Sequence, residues 1–106
     1  MNTEYDKESF LFLNLVMMFQ AAAMQYIGKI KNPASDKIER DLNQAQFAID
    51  TLDMIAKRTK GNLNETEERM LSGTIRDLKL NYVDELSHEQ TVSQSTGEEK
   101  KMETNQ

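Results

Sequence analysis

Residues Phe10 to Ile27 read FLFLNLVMMFQAAAMQYI, a run that is apolar around most of a helical circumference and contains no charged residue. A helix of this kind demands cover on several sides, because one that is apolar all round is stable only as a core element or in a membrane. Burying each large side chain is worth roughly 1.5 to 3 kcal/mol, so leaving several in water is a substantial loss. The run therefore predicts a centrally packed helix.

Local signals divide the chain further. Asp6 or Ser9 is placed to cap the first helix, and Gly28 is suited to the left-handed conformation that ends it. Pro33 biases the residue before it away from helical geometry, so residues 28–40 read as a loop. Asp41 followed by Gln44 has the form of a capping box opening a second helix. Leu42, Ala45, Ile49, Leu52 and Ala56 recur along it at helical spacing. Lys57, Arg58 and Lys60 complement its C-terminal dipole before Gly61. A second capping box, Asn64 with Glu67, starts a third helix, whose stripe is Leu71, Ile75, Leu78 and Tyr82, extended by Leu86.

The expected domains are a lead-in over 1–9, a helical domain over 10–86 with helices near 10–27, 42–60 and 65–86, and a polar tail over 87–106. That tail holds too little apolar surface to offset its ordering entropy and reads as disordered. The fold class is all-α: a small three-helix up-down-up arrangement, completed by self-association because two neighbours cannot cover the first helix.

Composition narrows the function classes. A net charge of -5 argues against a nucleic-acid partner held by phosphate neutralisation. The chain has no cysteine, which excludes disulfides and thiolate metal sites and fits the cytoplasm. The acidic lead-in, with Glu4, Asp6 and Glu8, is unlike the basic start of a secretory signal. The single histidine, His88, sits at the start of the polar tail with no fixed partners around it. No glycine-rich phosphate loop and no nucleophile with an adjacent base is present, so no catalytic, cofactor or metal residue is assigned and an enzyme is not expected.

The expected interface for a second copy or a protein partner is Phe12, Leu15, Val16 and Phe19 on the first helix, with Phe47 and Met54 seven residues apart on the second. A dimer is favoured, the further protein partner being unidentified. Asn14 or Gln20 is a candidate for fixing its register, as a buried polar residue does in coiled coils. Lys29, Lys31, Lys37 and Arg40 gather by the loop and leave open an anionic partner there. The alternative to a soluble oligomer is membrane association through helix 10–27, whose ~18 mostly apolar residues approach the length of a span.

One resemblance is specific. The apolar opening helix, Gly28 to Pro33 (GKIKNP), Asp41-Leu42, Thr59 to Leu63 (TKGNL), Asp77-Leu78 and Tyr82-Val83, in this order and spacing, resemble the small bacterial domain-of-unknown-function family numbered eighteen-forty-four. The likeness covers about Phe10 to Glu85. It implies a short all-helical cytosolic protein and brings no catalytic residues with it. The chain departs from the family pattern at Ser35-Asp36-Lys37, where a glycine-containing turn is usual.

Overall fold

The computed structural model describes the backbone of residues 3–104 and the side chains of residues 7–88. Three helices follow in order: α1 (Thr3–Ile27), α2 (Leu42–Arg58) and α3 (Glu65–Thr104). All three pack against one another. The start of α1 lies by the start of α3, where Ser9 and Phe12 share a pocket with Asn64 and Glu67. At the opposite end Lys29 reaches Asp84 at 3.5 Å and Arg40 pairs with Glu85. These contacts make α1 and α3 parallel with α2 running between them in reverse, the up-down-up arrangement expected.

Helix starts follow their caps. The Asp41 carboxylate accepts from the Gln44 backbone N–H at 3.2 Å and opens α2. At α3 the capping box is reciprocal: Asn64 Oδ1 accepts from the Glu67 N–H at 2.8 Å, and Glu67 Oε1 accepts from the Asn64 N–H at 2.9 Å. These bonds satisfy a carboxylate that belongs to a buried residue.

The first helix corrects the expectation. It begins at Thr3, not near Phe10, so the lead-in from residue 3 is helical and neither Asp6 nor Ser9 is a cap. Nothing between Thr3 and Phe10 breaks a helix, and Glu8 adds negative charge toward its positive end. Its other end is a Schellman turn: Gly28, at φ 94°, donates to the Gln25 carbonyl at 3.0 Å, and Lys29 donates to that of Met24 at 2.9 Å. Ser87 and His88 carry α3 past the expected stop at Leu86, since neither is a helix breaker. The remainder of the tail expected to be disordered, 89–106, lies outside the described side chains.

The loop over 28–40 is held at both ends. Asp41 N–H donates to the Tyr26 carbonyl at 2.8 Å, and Asn32 pairs with Lys37 in an isolated bridge. Between them Asp36 adopts φ 58°, a left-handed conformation that aspartate tolerates better than most side chains.

The core is one cluster: Val16, Ala23 and Ile27 from α1, Ala45, Ala48, Ile49 and Leu52 from α2, and Leu71, Ile75 and Leu78 from α3.

Candidate functional site

On α1 the residues facing the core follow each other at spacings of four, three, four and four: Phe12, Val16, Phe19, Ala23 and Ile27. Val16, Ala23 and Ile27 are wholly inaccessible, and Phe12 and Phe19 are half-buried against them. Three of the four interface residues expected on α1 are thus engaged within the chain itself. Val16 in particular has no surface left for a partner.

A second line runs along the other side of the same helix: Phe10, Asn14, Met17 and Ala21, spaced four, three and four, with Leu11 and Met18 flanking it. Every one of these six is exposed, Phe10 at 65% and Met18 at 67%. Leu15, the fourth residue expected at an interface, lies at the edge of this patch, 39% exposed. By the usual size of such side chains the patch leaves roughly 500 Å² of apolar surface in water. That is the scale of the largest patch a monomer carries, and such patches are often functional.

Phe47 and Met54 stand where the sequence places them, on the face of α2 turned away from the core, at 69% and 46% exposure. A further apolar surface escaped the sequence reading. Between α2 and α3 a groove of ≈ 510 Å³ is lined by Ala56, Ile75, Leu80 and Val83 and edged by the Asp53–Lys79 ion pair at 2.9 Å. Leu80 and Val83, both exposed, sit three apart and off the main stripe of α3, which is the signal that a plot of that helix's circumference offers.

The basic residues by the loop are largely committed. Lys29 and Arg40 bind the acidic side chains of Asp84 and Glu85, and Lys31 lies 4.0 Å from Asp36. Lys29 and Arg40 thereby tie the loop to α3, whereas the Lys31 pair stays within the loop. His88 is exposed on α3. Among the described residues no group of three His, Cys, Asp or Glu side chains gathers in a way that would hold a metal ion. Every described buried side-chain nitrogen and oxygen has a hydrogen-bond partner, so none points unpaired at a ligand.

Fold and surface together define a three-helix domain whose first helix serves its own core with one face and leaves the other in water. Residues 9–84 match the family model DUF1844, a domain of unknown function, and the chain belongs to that family. No curated protein and no solved structure matches it.

Proposed function

We propose that the protein is a cytosolic, homo-oligomeric helical interaction module, most simply a dimer, which closes the outer face of α1 on a second copy and presents Phe47 and Met54 to another protein. The observation that carries this reading is the patch of Phe10, Leu11, Met17 and Met18, each more than half exposed on a helix whose opposite face is already filled. Two such patches facing each other remove about 1,000 Å² from water, the lower limit for a specific interface. The methionines suit the task, since their flexible thioethers adapt to the surface they meet.

One observation favours a second reading. Within the described residues Lys7–Ile27 is long and apolar enough to cross a membrane. Against it, insertion would withdraw Val16, Ala23 and Ile27 from Leu52 and Leu78 and carry Asn14, Gln20 and Gln25 into lipid.

Light scattering of the detergent-free protein across a concentration series separates the two. The expected result is a dimer mass that Met18→Asp halves while the helical circular dichroism is kept. A monomer that floats with phosphatidylcholine–phosphatidylglycerol vesicles would overturn the proposal in favour of lipid.

A further inference from the structure

The outer line of α1 has an orientation written into it. Its four positions, Phe10, Asn14, Met17 and Ala21, alternate spacings of four and three, the repeat that keeps one seam facing a partner helix. The line is also uneven in size, with the large Phe10 toward one end and the small Ala21 toward the other. Two helices that run in opposite directions and overlap along all of Thr3–Ile27 bring position 10 of one level with position 20 or 21 of the other. Phe10 then enters the gap above Ala21 of the second copy, and the two-fold relation repeats the fit. Asn14 falls about 2 Å along the axis from the dyad, close enough for the two amides to meet across it.

Helix dipoles point the same way, since they oppose favourably only in the antiparallel arrangement.

We infer that α1 pairs antiparallel with α1 of a second copy, full-length, with Phe10 against Ala21 and Asn14 beside the two-fold axis. This rests on the self-association proposed above and adds its direction and register. Gly28 does not offer the same niche, because a β-carbon placed there would already lie 3.5 Å from the Arg40 side chain.

The chain has no cysteine, so single substitutions report contacts without background. Phe10→Cys and Ala21→Cys are both at exposed positions and leave the core untouched. Each is treated alone, and then as an equal mixture after subunit exchange, with a short bis-maleimide. In the antiparallel pair identical positions are about 16 Å apart along the axis, beyond the reagent's reach, so each variant alone stays uncoupled. The mixture couples up to about half of its chains, the share of mixed dimers that a two-fold pair forms statistically. Efficient coupling of each variant alone would overturn the orientation and leave a parallel dimer standing. A dimer mass by light scattering with no coupling in any sample would overturn the register. A monomer mass for the unsubstituted protein would remove the self-association reading itself.

Discussion

Along α1, Val16, Ala23 and Ile27 are wholly removed from water, whereas Phe10, Leu11, Met17 and Met18, interleaved with them in the sequence, are each more than half exposed. The residue types on the two faces are alike, and apolar content therefore does not distinguish them. What distinguishes them is the presence of a complementary stripe opposite: Ala45, Ala48, Ile49 and Leu52 on α2 and Leu71, Ile75 and Leu78 on α3 close one face and offer nothing to the other. That second apolar face, left without a second set of neighbours, is what the proposed self-association rests on.

Introducing a charge on each face tests this division most severely. Val16→Asp buries a carboxylate with no partner, a defect expected to cost about 3–5 kcal/mol and to abolish the cooperative thermal transition of a small domain. Met18→Asp places the same charge in water. Its melting curve at high dilution is expected to stay close to that of the parent, with the change confined to the oligomer mass. Unfolding by Met18→Asp at the same dilution would show that the outer face is indispensable to the fold, and the two faces would no longer be separate in role.

The same contrast recurs on α2 at smaller amplitude. Leu52 is completely buried and Phe47 is mostly exposed. Leu52→Ala is expected to lose about 2–5 kcal/mol in urea unfolding through the cavity it leaves. Phe47→Ala is expected to change stability by less than about 0.5 kcal/mol, as surface substitutions generally do. A large loss at Phe47 would mean that this ring is packed in solution, by a second copy if the loss vanishes on dilution.

How much of this was legible in the sequence follows from which signals are local. The starts of α2 and α3 were readable because Asp41, Asn64 and Glu67 act within one turn of their own helix. Gly28 likewise announced the end of α1. The start of α1 was misplaced because the reading followed apolar periodicity, while residues 3–9 need only helix-compatible backbone to continue the helix outward. The faces of α1 were not legible at all. Periodicity selects a face only where polar residues mark the other side, which is why Phe47 and Met54 stand out on the mixed α2, whereas nothing in the sequence separates Val16, buried in the chain's own core, from its exposed neighbours on α1. The groove beside Leu80 and Val83 depends on the spacing of two helices and has no signature within either one.

The turn that ends α1 offers a milder test, since it sets the phase at which Ile27 enters the core. Gly28→Ala puts a side chain on a residue at φ 94° and is expected to cost about 1–2 kcal/mol. Asp36→Gly, at φ 58°, removes the side chain from a left-handed residue and is expected to be neutral or to gain a few tenths of a kcal/mol, roughly the αL penalty less the added chain entropy. Equal effects at the two sites would mean that the loop, and not the Schellman turn, governs how the inner face is set.

The smallest effect is expected at the rim of the α2–α3 groove. Lys79 and Asp53 join the two helices at 2.9 Å, yet their side chains are 52% and 37% exposed. A pair this open to water gains little, because solvent screens the attraction and two long side chains lose freedom in holding it. Lys79→Ala is therefore expected to cost less than about 1 kcal/mol, a shift of at most a few degrees in the thermal midpoint of a domain this size. Raising the salt concentration should erase most of that difference, since exposed pairs are screened. A larger, salt-insensitive loss would show that the lysine stem covers Leu80 and Val83 and counts as apolar packing. The groove would then belong with the inner face of α1 as surface already closed within the chain, leaving the outer face of α1 and the strip of Phe47 and Met54 as the surfaces open to partners.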